Sequence, residues 1–71
     1  MDEVYRGYRI AIKQAGNGWS ARITHARGTL LPLAALATAR EGPEQCLERG
    51  RAMVDRYLAF LAENGIGGKA N

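Results

Sequence analysis

The sequence predicts an α+β fold of two layers. An antiparallel sheet of three strands should pack on one long C-terminal helix, in the order βββα. Three observations lead there. Residues 8–13 and 19–24 each alternate apolar and polar side chains with a period of two. A glycine-rich stretch, Ala15-Gly16-Asn17-Gly18, separates the two runs. From Pro43 onward the apolar spacing lengthens to that of a helix.

In the first strand Tyr8, Ile10 and Ile12 turn one way, and Arg9, Ala11 and Lys13 the other. In the second, Trp19, Ala21 and Ile23 share one face, and Ser20, Arg22 and Thr24 the opposite face. Two connections fit between them. A two-residue Asn17-Gly18 turn pairs Ile12 with Ile23 and sets Lys13 against Arg22. A four-residue loop over 15–18 pairs Ile12 with Ala21. Either register keeps the apolar residues together.

Residues 25–42 are ambiguous. His25 to Gly28 reads as a loop. After it, local propensity favours a short helix, with Pro32 at its first position and Gly42 past its end. A lone hairpin is marginal, however, and a third strand widens the sheet. A short third strand around Leu36 to Ala39 is therefore expected, with a short helix in residues 30–41 as the alternative.

The helix should begin at Pro43, capped by Gly42, and stop at Asn64-Gly65. Cys46, Leu47, Gly50, Met53, Val54, Tyr57, Leu58, Phe60 and Leu61 fall on one side of its wheel. Glu48, Arg51, Ala52, Asp55, Ala59, Ala62 and Glu63 fall on the other, where Arg51 and Asp55 can pair. Gly50 inside the apolar stripe costs about 1 kcal/mol relative to alanine, which close approach to the sheet would offset. Trp19 or Tyr8 is the expected neighbour. A helix of about 22 residues runs about 33 Å, against about 20 Å for a six-residue strand. Its end, with Tyr57, Phe60 and Leu61, should overhang the sheet and offers a self-association surface. Residues 1–65 read as one domain and 66–71 as a flexible tail.

The composition bounds what such a domain can do. The chain has 71 residues, and 46% are hydrophobic, but 12 of those 33 are alanine. Leu, Ile, Val and Phe total 14, which makes a thin core. That excludes a multidomain enzyme, a coiled-coil array and a disulfide scaffold. Net charge is +3 and uneven. Residues 1–40 hold six cations and two carboxylates, and residues 41–71 four cations and five carboxylates. A basic front half fits an anionic partner, or simply ordinary surface arginine. Cys46 is the only cysteine, so no internal disulfide forms. The acidic N-terminus lacks the apolar run of a secretory leader. The longest apolar stretch, 29–39, is too short to span a bilayer and contains Pro32. A cytoplasmic protein is expected, with no membrane partner.

No motif rises to a catalytic or cofactor site. Gly16-Asn17-Gly18-Trp19-Ser20-Ala21 has dinucleotide-loop spacing, but a strand follows it where a helix N-terminus is needed. Gly65-Ile66-Gly67-Gly68-Lys69 follows the helix instead of preceding it and lacks the Ser or Thr of a phosphate loop. Cys46 faces the apolar stripe and reads as a buried, inert thiol. One histidine, His25, and one cysteine make no zinc set, and no nucleophile or orienting carboxylate is spaced beside His25. No enzyme activity, metal, cofactor or small-molecule ligand is expected. The candidate binding residues are Arg9, Lys13, Arg22 and Thr24, with Ser20, on the outer sheet face, where phosphates could be met.

The strand, glycine hairpin, strand, short strand and helix over residues 5–63 carry Tyr8-x-Ile10-x-Ile12, Gly18-Trp19-x-Ala21-x-Ile23, and Thr38 followed by Glu41. This layout resembles small uncharacterised bacterial βββα proteins. It is similar to the N-terminal half of HicB-type antitoxins, which resemble a partial RNase H fold without the catalytic carboxylates and bind a small toxin. It also looks like the arm-binding domains of phage integrases, which lay a three-stranded sheet in DNA. The first resemblance implies a protein partner. The second implies nucleic-acid contact through Arg9, Lys13 and Arg22. The resulting expectation is a small non-catalytic interaction module that binds a protein or itself, with nucleic-acid binding through the outer sheet face as the alternative.

Overall fold

The alternating runs form the central hairpin of the sheet. The computed structural model describes residues 2–25 and 27–63. It has strands β1 (Asp2–Tyr5), β2 (Tyr8–Ala15), β3 (Gly18–His25) and β4 (Leu30–Thr38), followed by helix α1 (Gly42–Glu63). The strands pair antiparallel in chain order, with β1 and β4 at the edges. The α+β class and the single C-terminal helix stand, but the sheet has four strands where three were expected.

The additional strand is β1. Its turn into β2 places Arg6 at φ 52° and Gly7 at φ 86°, the two positive values of a type I′ turn. Glycine accepts this freely, whereas a side chain costs about 1–2 kcal/mol. Arg-Gly is therefore a weak turn signal in sequence, and four residues with two carboxylates make a weak strand signal.

The other correction is β4. It runs over Leu30–Thr38, well beyond the expected Leu36–Ala39, and it is extended where local propensity favours helix. Pro32 is tolerated because β4 is an edge strand. The pairing is also irregular there. Arg22 pairs with Ala34 and Thr24 with Leu30, so β3 advances by 2 residues while β4 advances by 4. The surplus is even, so burial along β4 still alternates without a break.

The β2–β3 hairpin takes the register that pairs Ile12 with Ala21. Its turn residues are Gly16 and Asn17, and Gly16 alone carries positive φ, at 56°, as in a type II′ turn. Lys13 consequently faces Ser20, and Arg22 faces Ala11. The direct Lys13–Arg22 opposition does not arise.

Ile10, Ile23, Val54 and Cys46 are fully buried between the layers, with Tyr8, Ile12, Ala21, Ala35, Ala37 and Leu47 around them. Gly50 lies over Ile10. A Cβ there would stand 2.8 Å from Ile10 Cγ2 and 3.6 Å from Ala21 Cβ, so Ile10 occupies the place expected of Trp19 or Tyr8. Strands of eight and nine residues cover more of α1 than six-residue strands would. Tyr57 is partly buried, edge-on to Tyr8 at 6.1 Å, and Leu61 is partly buried, while Phe60 is 52% exposed. The expected stop at Asn64-Gly65 and the expected tail lie outside the described residues. Among the described residues no helix is long and apolar enough to cross a membrane.

Two glycines test this packing. At Gly18 a Cβ would fall on the carbonyl oxygen of Ala37, which cannot yield without disturbing the β3–β4 pairing. At Gly50 it would press on Ile10, and overpacking of about 1–3 kcal/mol exceeds or matches the ~1 kcal/mol that alanine gains in a helix. Urea denaturation should show Gly18→Ala losing the most stability and Gly50→Ala losing about 1 kcal/mol. A Gly50→Ala variant clearly more stable than the parent would contradict the close approach of helix and sheet.

Candidate functional site

Among the described residues, the sheet has one face under α1 and one without a covering layer. Residues paired across strands share a face, so the register fixes the pattern of the open one. Arg9 stands between Val4 and Thr24, with Leu30 beyond Thr24. Arg22 stands between Ala11 and Ala34, and Ser20 between Lys13 and Leu36. The structure thus brings Arg9, Lys13, Arg22 and Thr24 together on one face, as the alternation implies. Arg9 reaches Asp2 at 3.6 Å, with both side chains more than half exposed. Among the described residues, Lys13 and Arg22 have no carboxylate partner. Alanines flank Arg22 in the neighbouring strands, so its guanidinium is not screened by large neighbours.

The second feature is the free edge of β4. None of its nine residues is charged, and Leu30 and Leu36 are 53% and 68% exposed. Its outer face carries Leu30, Pro32, Ala34 and Leu36, all exposed. On the helix side a groove runs between β4 and α1, lined by Ala34, Ala35, Leu36, Arg49, Ala52, Met53 and Arg56.

Part of this edge is already occupied from within. Arg49 Nη1 donates to the carbonyl oxygen of Leu36 at 2.8 Å, and its two terminal nitrogens hold Glu41 at 2.9 and 2.5 Å. Glu41 in turn accepts from the backbone N–H of Thr38 at 2.8 Å, while Thr38 Oγ1 accepts from the N–H of Glu41 at 3.2 Å. This reciprocal pair has the form of a capping box and turns the chain from β4 into α1. Arg49 and Thr38 together hold the Glu41 carboxyl down to about 2. Sequence reasoning noticed Thr38 and Glu41 but missed Arg49, because a spacing of eight across a turn has no local signature.

The opposite edge is closed by charge. Arg51 grips Glu3 with Nε and Nη2 at 2.6 and 2.7 Å, and Asp55 accepts from Tyr5 Oη at 3.0 Å and from Arg6 Nη1 at 2.7 Å. Arg51 and Asp55, expected to pair with each other on a solvent-facing side of the helix, instead bind β1 and its turn. The Arg6 guanidinium and the Tyr5 hydroxyl lower the Asp55 carboxyl, Arg51 lowers Glu3, and Asp55 raises the Tyr5 hydroxyl.

Cys46 is fully buried, with its thiol 3.8 Å from the carbonyl of Ala35, and burial pushes the thiol up. His25 Nδ1 accepts from the backbone N–H of Arg27 at 3.0 Å, and its ring stands edge-on to Tyr8 at 5.1 Å. Among the described residues no three His, Cys, Asp or Glu side chains gather as a metal set. No family model matches the chain, and no curated protein or solved structure is significantly similar to it.

The three paired carboxylates give stability a sign with pH. Their folded-state values lie below the ordinary ones, so their contribution is complete above the unfolded values. It is lost as pH falls through the folded values, from about 4.5 toward about 2 for Glu41. Urea midpoints measured against pH should be level above about 5 and fall below it. Glu41→Gln should be less stable than the parent at neutral pH and lose less on acidification.

Proposed function

We propose that the chain is a non-catalytic interaction module that binds protein, either a second copy of itself or a different chain, through the free edge of β4 and the groove beside it. One observation carries this reading: a nine-residue uncharged strand at a sheet edge, with two leucines more than half exposed. An edge strand presents unpaired N–H and C=O groups that another chain can complete, and exposed apolar side chains beside them add burial. By contrast β1 is short, carries two carboxylates and is tied to α1 by ion pairs. Phe60 on α1 offers a further exposed aromatic surface, with Tyr57 and Leu61 partly buried beside it, but Tyr57 already packs on Tyr8.

A photo-reactive residue placed at Leu36 in the living cell should give discrete protein adducts, and the same residue at Ala59, on the exposed side of α1, should not. Equal labelling from both positions, or none from Leu36, would count against the reading.

A second reading is nucleic-acid binding through the open sheet face. The observation that favours it is that, among the described residues, Lys13 and Arg22 have no carboxylate partner, with Arg9 and Thr24 alongside. Phosphate contacts release counterions, so binding to a labelled duplex should weaken steeply with salt. Arg22→Glu should abolish it. Salt-insensitive binding, or no binding to duplex and single-stranded probes in fluorescence anisotropy, would remove this reading.

A further inference from the structure

The groups left free on the β4 edge say which strand fits it. In an antiparallel ladder the main chain of alternate residues points toward the neighbour and away from it. Leu36 offers its carbonyl to Arg49, and Thr38 its N–H to Glu41, so neither group is used by β3. The N–H of Ala39, by contrast, bonds Asn17 across the β3 side. The even-numbered residues of β4 therefore point outward. Beyond the irregularity the carbonyl of Thr29 bonds the N–H of His25, so odd-numbered residues face β3 on both sides of it, and Ala34, Pro32 and Leu30 keep the outward parity. On this edge Ala34 has both its N–H and its carbonyl free. Leu36 has only its N–H, because Arg49 holds its carbonyl. Pro32 has only a carbonyl, because proline has no N–H.

We infer that β4 pairs antiparallel with β4 of a second copy of this chain about a two-fold axis at Ala34. This rests on the protein-binding reading above and names its partner. In that register the two Ala34 residues exchange both of their hydrogen bonds. Leu36 donates its N–H to the carbonyl of Pro32 in the other copy. The one carbonyl already taken then faces the one residue with no N–H to give. A shift of the axis by one position in either direction breaks this match. With Ala34 opposite Leu36, the N–H of Ala34 points at the carbonyl Arg49 already holds. With Ala34 opposite Pro32, the carbonyl of Ala34 meets no donor. A foreign strand would need the same gap at the same place. A second copy supplies it by symmetry, as an isologous contact does.

The side chains agree with the backbone. β4 contains no charged residue, so no like charges oppose one another within the paired strands. On the open face the exposed Leu36 meets Pro32 of the other copy. On the helix side Leu33 of one copy lies opposite Ala35 of the other, at the groove bordered by Ala52 and Met53. Two four-stranded sheets become one of eight, and the bulge beside Pro32 and the occupied groups near Thr38 leave little edge for any other register.

The test uses the full chain. Sedimentation velocity across a concentration series should show a reversible dimer. Ala34→Pro removes both N–H groups at the axis, at an exposed edge position where proline is tolerated, and should weaken the dimer at least tenfold with the circular dichroism spectrum unchanged. Ala34→Cys reads the register without relying on that variant. Residues directly opposite in a hydrogen-bonded antiparallel pair have Cα atoms about 5.5 Å apart, within disulfide range. Ala34→Cys should therefore form a covalent dimer under mild oxidation, whereas Leu36→Cys, whose copies lie more than about 12 Å apart, should not. A chain that stays monomeric at every concentration overturns the inference, as does cross-linking through Leu36→Cys in place of Ala34→Cys. Failure here with discrete adducts to another protein from Leu36 leaves the protein-binding reading standing. Failure of both experiments removes both.

Discussion

The contact of Gly50 with Ile10 sets how near the helix can come to the sheet, and the rest of the molecule is arranged around that distance. Only the absence of a side chain at Gly50 lets the backbone of α1 close onto a fully buried isoleucine. A chain with few large aliphatic residues must bring its layers close, because it cannot fill a wider gap. Alanines at 21, 35 and 37 serve the same end on the sheet side. The core that results is narrow. Away from Ile10, Ile23 and Val54, the flanks are held by polar groups. Arg51 and Asp55 hold β1 on one side, and Arg49 and Glu41 hold the end of β4 on the other.

This division explains what could be read from the sequence. β2, β3 and α1 lie over the core, where burial imposes a period of two or 3.6 that the residues must follow. The outer-face set of Arg9, Lys13, Arg22 and Thr24 was legible for the same reason, since it is the complement of the buried set. The edges were not. β1 has a turn with arginine in the left-handed region, a conformation held in place by the Asp55 contact from a helix far along the chain. β4 is built from residues that prefer helix, and only pairing with β3 extends it. Tertiary context outweighs weak local preference most easily in such segments. The ion pairs joining Glu3 to Arg51 and Glu41 to Arg49 escape the sequence altogether, because a wheel assigns a helix residue to a face without saying what the face meets.

Charge is distributed with the same asymmetry. Glu3, Glu41, Glu48 and Asp55 each face an arginine on or near α1, so the helix layer is largely neutralised internally. The open sheet face has Arg9, Lys13 and Arg22 against Asp2. Three of the six cations of residues 1–40 thus share one face of the sheet, while Arg6, Arg27 and Arg40 lie in turns. The edge and the face are separate surfaces, and the two readings of function draw on different residues.

The two edges show different solutions to one problem. An unpaired strand edge invites any extended chain, and proteins blunt such edges with charge, proline, bulges or side-chain caps. β1 uses shortness, two carboxylates and the ion pair of Glu3 with Arg51. β4 uses proline, a bulge and an arginine cap, but only toward its two ends, and leaves Ala34 and the leucine side chains around it open. An edge guarded throughout would resist pairing, and an edge guarded nowhere would pair in any register. Guards at both ends of an open centre admit one alignment and reject its neighbours by a mismatch of donors and acceptors. In the proposed dimer, that arrangement confines β4 to a single register.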